Sequence, residues 1–322
     1  MRRPLELPPE LRSTHFSTST AAVHGVGAWR LRVGSIEHPF YGVNTLAGTD
    51  EPGQPDRPGD VVRQLCDAYL VRMLPGQWFS HDTGAALVGI PLPPNLPTGS
   101  VHVSVRAPRT PPRAAGVAGH RISADVRVGL ARDKYPTCSP VDLWCQLSTR
   151  VGRSDLVAAG DFLVGSRNRE PVAYLAELVN ASERFGGKRG AVNRAWALER
   201  IRFGADSAPE TLLRLRLVEA GLPEPDVQPP VAVADGNLVL HPDLLLPDAR
   251  VTFEYEGDGH RVDRRQWQLD IDREELFRRA GYEVVRVTAQ HLFGRRQEFD
   301  DRLQRLGLLL AKGARSGLRR GD

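Results

Sequence analysis

Hydrophobic and polar positions follow a helical period just after residue 206. Ser207 and Glu210 form the start signal of a helix, a serine followed three residues later by a glutamate. Leucines at helical spacing come next, and Gly221 with Pro223 beyond it supplies the stop signal. The pattern predicts an amphipathic helix between Ser207 and Gly221.

Shorter apolar runs after this helix predict strands. The runs PVAVA (230–234) and LVLHPDLLL (238–246) flank an Asp235-Gly236-Asn237 turn, and VTFEYE (251–256) follows as a third run. The predicted order is a helix followed by a meander of three strands.

Three carboxylates fall close together in this meander. Because side chains alternate along a strand, Glu254 and Glu256 lie on the same face, and Asp243 lies on the neighbouring strand. Carboxylates that are so close repel one another unless a cation neutralises them or one takes up a proton. Oxygen ligands suit a hard divalent ion, so the pattern predicts a site for Mg²⁺ or Mn²⁺.

The next segment predicts a helix over 263–280 and a strand over 283–288. One face of this helix is apolar and carries Leu269, Leu276, Phe277 and Ala280. Gln266 and Arg273 fall on the same face, with Asp270 at its edge. Polar groups on an inward face need partners, so we expect them to join the strand carboxylates in one network.

The N-terminal pattern predicts a small winged helix-turn-helix over residues 16–43. Its parts are a helix capped around Ser17–Ser19, a turn at Gly25, a helix carrying Trp29 and Leu31, and a strand over 40–43. On this interpretation Arg30 and Arg32, in the second helix, contact DNA. A small packing module with no DNA contact is the alternative.

The whole chain divides into five predicted parts. They are a winged helix-turn-helix at 1–46, an α+β middle region at 47–135, a helical region at 136–205, the carboxylate-bearing α/β domain at 206–311, and a basic, flexible tail at 312–322. In the middle region we interpret His81 and Asp82 as a helix start and a core pair rather than a site.

Composition narrows the class of protein. No stretch approaches the roughly 18–20 apolar residues of a bilayer helix, and the N-terminus lacks a secretory signal, so we expect a cytoplasmic protein without membrane association. The net charge of +4 permits binding to a polyanion.

Cys66, Cys138 and Cys145 lack the pairing of a disulfide framework or zinc ribbon and are expected to be reduced thiols.

Several of these motifs occur in the same order in a known family. They are Pro242-Asp243, Glu254-Tyr255-Glu256, GDGH (257–260), the helix bearing Gln266, Asp270 and Arg273, and GYEVVRVT (281–288). Together they resemble the DUF559-type, Vsr-like branch of the PD-(D/E)xK, or restriction-endonuclease-like, superfamily. The resemblance covers about a third of the chain and implies a mixed central sheet flanked by helices. The N-terminal outline with SHDTGAALVGIPLP (80–93) more loosely resembles an AbiEi antitoxin-like region.

The resemblance assigns roles to single residues. Asp243 and Glu254 match the metal-binding acids, Glu210 matches the helix acid that often precedes them, and His260 would act beside the scissile phosphate. Glu256, which the match places in the catalytic set, stands where the family signature has lysine. A lysine orients the attacking water and stabilises phosphorane charge, whereas a carboxylate acts only through a metal or as a base.

Structural roles would also explain these acids. Glu210 fits a capping box with Ser207, and Asp243 can cap the end of a strand. Glu254 and Glu256 would be ordinary solvated acids if their strand face were exposed.

The residues that follow have similar alternatives. His260 fits a turn residue after two glycines. Asp270 and Arg273 fit an i,i+3 ion pair on a helix, worth a few tenths of a kcal/mol when exposed. The function of the segment therefore depends on whether these side chains meet the carboxylates.

Two hypotheses of different class follow from the sequence. The first is a DNA endonuclease that uses Mg²⁺ or Mn²⁺ held by Asp243 and Glu254 to hydrolyse phosphodiesters. The second is a noncatalytic, antitoxin-type DNA-binding regulator that keeps a nuclease-like scaffold. A protein-interaction module in a defence or toxin–antitoxin system, and a homodimer, stay open.

Overall fold

The computed structural model describes residues 6–12, 15–34, 36–46, 58–97, 99–123, 125–187, 189–257, 264–294, 297–305 and 307; at 58, 235 and 264–270 it describes the backbone only. The fold is mixed α/β, as predicted. Two compact units are formed: residues 1–151 with 176–194, the N-terminal unit, and residues 152–175 with 195–322, the C-terminal unit. Within the described residues, no helix has the length and apolar character needed to cross a bilayer.

The helices and strands of the described residues have the following bounds. The helices are α1 Thr18–Val23, α2 Ala28–Leu31, α3 Pro58–Leu70, α4 His81–Leu87, α5 Pro140–Leu147, α6 Arg153–Val164, α7 Leu175–Phe185, α8 Ala191–Leu198, α9 Ala208–Glu219 and α10 Arg264–Arg279. The strands are β1 Phe16–Ser17, β2 Ile36–Phe40, β3 Val43–Leu46, β4 Gln77–Phe79, β5 Val101–Arg106, β6 Val117–Ile122, β7 Val128–Ala131, β8 Tyr135–Cys138, β9 Asp226–Val227, β10 Val231–Val233, β11 Leu238–Leu240, β12 Leu244–Leu246, β13 Val251–Glu256 and β14 Glu283–Thr288.

The N-terminal segment contains the predicted helices but not the predicted strand over 40–43. Ser17 caps α1 by accepting a hydrogen bond from the backbone N–H of Thr20, and Gly25 makes the turn before α2. The strand prediction was wrong because Gly42, at φ +77°, makes a tight turn there. β2 ends at Phe40 before this turn, and β3 begins after it. The segment therefore ends in a hairpin.

A five-stranded sheet forms the centre of the N-terminal unit, in the order β6-β5-β4-β8-β7. β5 pairs with β4 antiparallel and with β6 parallel, so β5 lies between neighbours of opposite direction. The three cysteines are free and buried, as expected for reduced thiols.

A four-stranded mixed sheet forms the centre of the C-terminal unit, in the order β14-β13-β12-β9. β12 and β13 are antiparallel, whereas β13 and β14 are parallel and joined through α10. The single strand predicted over 238–246 was wrong. It divides at His241-Pro242-Asp243, because proline cannot donate a ladder hydrogen bond. β11 pairs with β10, and β12 joins the larger sheet.

The two faces of this sheet bury different residues. Phe253 and Val287 pack on one face against Leu213 and Leu217 of α9. Leu245 packs on the other face in a second cluster, which contains Leu276 and Phe277 of α10 and Ala280 just after it. The predicted apolar face of α10 is therefore present for the side chains that the structure describes. Because side chains alternate along β13, Glu254 lies on the face opposite Phe253.

A buried ion pair joins α6 to α9 within the C-terminal unit. Nη2 of Arg214 donates to Oδ2 of Asp161 at 2.9 Å, and each side chain is 1% exposed. Thr211 and the backbone N–H of Arg202 also donate to Asp161. α6 lies inside the helical region predicted at 136–205, yet it packs with the elements that follow residue 206.

Candidate functional site

Asp243 is held beside the strand that bears Glu254. It immediately precedes β12, and its Oδ2 accepts a hydrogen bond from the backbone N–H of Tyr255 at 2.7 Å. Its backbone carbonyl accepts from the N–H of Gln228 at 3.1 Å. Asp243 thus has part of the strand-capping role that the sequence offered as an alternative. The hydrogen bond from Tyr255 also fixes the Asp243 carboxylate next to β13.

Glu210 lies in the first turn of α9, where the sequence suggested a capping box. The hydroxyl of Ser207 donates to Oε1 of Glu210 at 2.7 Å, and Oε2 accepts from the backbone N–H of Asp206 at 2.9 Å. The side chain is buried, at 7% exposure. Glu210 therefore forms the capping box with Ser207. Its burial makes a charged carboxylate electrostatically costly at this position.

Glu210, Asp243 and Glu254 form an acidic cluster, defined by their electrostatic effect on one another. Burial, and next the charge of Asp243, raise the pKa of Glu210 to about 7. The same two causes raise the pKa of Glu254 to about 8, and Glu210 adds to this effect. The folded chain thus brings together three acids that the sequence places on separate elements.

Arg273 supplies positive charge to this cluster from α10. Its Nη2 lies 3.4 Å from both carboxylate oxygens of Glu254 and donates to the backbone carbonyl of His241. This proximity lowers the pKa of Glu254 but does not offset burial and the charge of Asp243. The contact predicted between Arg273 and the strand carboxylates is present.

Two further residues of the site were missed by sequence reasoning. Gln228 donates through Nε2 to Oδ2 of Asp206 at 2.8 Å and reaches Oε2 of Glu210 at 3.5 Å. Its backbone is in the left-handed region, at φ +45°, which is costly for glutamine. Asp206 directly precedes the N-cap of α9, which was the one local signal for it. Gln228 gave no local signal, because it reaches the site through the folding of β9 against β12.

Glu256 has a different partner from the other acids. Its Oε1 lies 2.6 Å from Nη1 of Arg286, and Nη2 of Arg286 lies 2.7 Å from Oε2 of Glu274. Glu256 shares a strand face with Glu254, as predicted, but its carboxylate is engaged in this ion-pair network. The structure therefore distinguishes Glu256 from the acidic cluster.

The remaining predicted site residues are placed as follows. His260 lies outside the described residues, and Gln266 and Asp270 lie on α10 with side chains that are outside them. Arg30 and Arg32 are in the N-terminal unit, Arg30 within α2 and Arg32 as its C-cap. Nη1 of Arg30 donates to the backbone carbonyl of Val33 at 2.8 Å, whereas Arg32 is exposed.

A second polar cluster lies in the N-terminal unit, formed by His81, His102 and His120. His81 and Asp82 begin α4 and are buried, as the sequence indicated. Burial lowers the pKa of His81 well below its ordinary value and that of His120 to about 4, so both rings are neutral at pH 7. Sequence reasoning missed the cluster because β5 and β6 meet only through parallel pairing across an intervening loop.

No family model matches this chain, and no curated protein and no solved structure matches it.

Proposed function

We propose that this chain is a metal-dependent DNA endonuclease whose acidic cluster holds Mg²⁺ or Mn²⁺. The observation that carries the proposal is the placement of Asp243, whose carboxylate is fixed next to β13 by the N–H of Tyr255 at 2.7 Å, beside Glu254 and Glu210, whose pKa values its charge raises. Repulsion among largely buried carboxylates is costly, and a divalent cation would remove it. All the candidate ligand atoms are oxygens, which favours a hard ion over zinc or copper.

The positions of the acids on the fold support the same proposal. A helix, α9, precedes an antiparallel strand pair, β12 and β13, and a second helix then leads to the parallel strand β14. Asp243 and Glu254 belong to the antiparallel pair, and Glu210 to the preceding helix. This arrangement is compatible with the mixed sheet flanked by helices that the sequence resemblance implies.

The oxygens of the three acids do not all lie within 4.8 Å of one another, and two of the acids suffice for such an ion. Asp243 and Glu254 would hold it, with Glu210 as a third acid close by. The three acids need not all bind the ion, because Mg²⁺ commonly binds one or two carboxylates together with water and phosphate oxygens. When bound, the ion would polarise the phosphodiester and lower the pKa of a coordinated water.

Arg273 is the candidate for the positive charge that a lysine supplies in the family signature. Its guanidinium already lies next to Glu254, and its side chain is 37% exposed. A phosphate oxygen is a strong acceptor for a guanidinium donor. Arg273 would position the phosphate, since Glu256 at the family's lysine position is paired with Arg286.

Plasmid cleavage by the full chain tests the proposal. Wild-type protein should nick or cut DNA with Mg²⁺ or Mn²⁺ and stop when a chelator is added. Asp243→Ala and Glu254→Ala should each lose at least about a hundredfold in rate, because the lost ligand weakens a charge interaction worth several kcal/mol. Asp248→Ala is the matched control, since it removes an exposed acid from the same unit.

A noncatalytic DNA-binding regulator is the second candidate, favoured by the ion pair between Glu256 and Arg286. Tight DNA binding without metal-dependent cleavage of single-stranded, duplex, mismatched or methylated DNA would support it and overturn the nuclease. Binding to no DNA at all would favour a protein-interaction module.

A further inference from the structure

Three imidazole rings converge in the N-terminal unit. His81 begins α4, His102 lies on β5 and His120 lies on β6, and one ring nitrogen from each lies within 4.8 Å of the other two. Over the described part of the chain, no other group of histidine, cysteine, aspartate or glutamate ligand atoms converges in this way. His81 and His102 are buried and His120 is half-buried.

Outer contacts orient two of the rings. Nδ1 of His81 lies 3.0 Å from the hydroxyl of Ser80, and Nε2 of His102 lies 3.5 Å from Oδ2 of Asp82. Histidines that bind metals usually donate their second ring N–H to such a carboxylate or hydroxyl, which leaves the other nitrogen as the ligand. When those N–H groups donate, Nε2 of His81 and Nδ1 of His102 carry the lone pairs that would face a metal.

The third ring is already in contact with the second. Nδ1 of His102 lies 2.9 Å from Nε2 of His120, so one ring donates a hydrogen bond to the other. In a tetrahedral zinc site with Zn–N bonds of about 2.0–2.1 Å, two ligand nitrogens lie about 3.3 Å apart. A slightly larger distance between Nδ1 of His102 and Nε2 of His120, together with a move of the His120 proton to its Nδ1, would let both nitrogens face an ion.

The surroundings hold the rings in place. His81 has a left-handed backbone, at φ +50°, and its N–H donates to Oε1 of Gln146 at 2.8 Å. Nε and Nη2 of Arg150 donate to the two carboxylate oxygens of Asp82, which fixes the residue that contacts His102. Strained backbone that is secured by buried hydrogen bonds is typical of sites whose geometry matters.

We propose that His81, His102 and His120 bind one divalent transition-metal ion, with Zn²⁺ as the first candidate. Imidazole nitrogen suits zinc, copper or nickel rather than Mg²⁺, so this site differs in ligand chemistry from the acidic cluster. Three protein ligands leave the fourth position of a tetrahedral ion for water or a ligand atom. The ion would also link α4, β5 and β6, which the three histidines join.

Titration of the full chain, without a histidine tag, tests this site. Zn²⁺ should bind in a one-to-one ratio by calorimetry, and Co²⁺ in its place should give the intense visible absorption of tetrahedral coordination. His120→Gln, which removes the half-buried ligand, should weaken Zn²⁺ binding by more than about tenfold. His24→Gln is the matched control, because His24 is exposed in the same unit.

Two outcomes would overturn the site: wild-type protein that binds neither ion, or His120→Gln protein that binds Zn²⁺ as tightly as wild type. Circular dichroism checks that the variant is folded, and if it is not, the wild-type Co²⁺ spectrum still decides. Asp243→Ala should keep the full Co²⁺ spectrum. Loss of the spectrum in that variant would mean that the ion binds at the acidic cluster, and would also overturn the histidine site.

Discussion

Arg286 holds the carboxylate of Glu256 across the parallel pair of β13 and β14, with Nη1 of the arginine 2.6 Å from Oε1 of the acid. Both side chains are about one-third exposed or more, so the pair is worth at most about 1 kcal/mol. A carboxylate that already has a cationic partner gains less from a metal ion than Glu254 does. Glu256 and Glu254 therefore differ in their expected affinity for a metal ion, although both lie on one face of β13.

Glu256→Ala should therefore reduce metal-dependent DNA cleavage by no more than about tenfold, far less than Glu254→Ala does. Arg286→Ala should have a similarly small effect, because its main partners are Glu256 and Glu274. Single-turnover cleavage rates at saturating Mg²⁺ measure the difference. A loss for Glu256→Ala as large as that for Glu254→Ala would make Glu256 a ligand or base.

Without metal, the contribution of Glu210 and Glu254 to stability should fall as the pH rises from about 5 to about 8. Folding raises the pKa of Glu210 and Glu254 from near 4.5 to about 7 and about 8, so the folded state keeps protons that the unfolded state has released. The stability that these groups contribute is complete below their ordinary pKa and is lost as the pH passes the raised values. Burial of His81 and His120 lowers their pKa and has the opposite effect over this range, so urea unfolding in chelator measures the glutamate contribution as the difference between wild type and Asp243→Asn.

Asp243→Asn should flatten this pH dependence, because it removes a charge that raises both pKa values. The exposed acid Asp248 gives the control, and Asp248→Asn should keep the wild-type slope. Mg²⁺ should stabilise wild-type protein more at pH 8 than at pH 5. Equal slopes for wild type and Asp243→Asn would mean that the acids do not interact in solution.

Local patterns were sufficient to predict much of the C-terminal unit. The start and stop signals of α9, the alternation along β13 and the inward position of Arg273 all depend on neighbours a few residues away. The division of residues 238–246 into β11 and β12 was missed, because an apolar run does not show that its two halves pair with different strands.

Contacts between distant segments could not be predicted. Gln228 reaches Glu210 only once β9 pairs with β12, and His102 meets His120 only through the parallel pairing of β5 and β6. None of these side chains belongs to a motif that its own segment of the sequence would reveal. The sequence therefore indicated the acids of the candidate site but not the amide beside them or the histidine cluster.

Asp161→Asn should destabilise the protein by about 3–5 kcal/mol, because it leaves the buried guanidinium of Arg214 without its buried counter-charge. Glu224, which also pairs with Arg214, is partly exposed and would keep the loss toward the lower end. Urea unfolding at pH 7 measures the change in the free energy of unfolding.

An exposed pair in the same unit is the comparison for Asp161. Glu199 lies 2.9 Å from Arg200 with its side chain 72% exposed, so Glu199→Gln should change stability by less than about 1 kcal/mol. Similar losses for the two variants would show that burial does not set the strength of the Asp161 pair.

Arg32→Ala should weaken DNA binding more than Arg30→Ala does, because Arg32 is exposed while Nη1 of Arg30 is engaged by the carbonyl of Val33. If Arg32 contacts a phosphate, its loss should also reduce the slope of log affinity against log salt by about 0.9, the release of one counterion. Fluorescence anisotropy in chelator, across a salt series, measures both quantities. Arg113→Ala removes an equal charge from an exposed position of the same unit and should leave the slope unchanged. If Arg113→Ala lowers affinity as much as Arg32→Ala, net charge rather than the helix-turn-helix segment attracts the DNA.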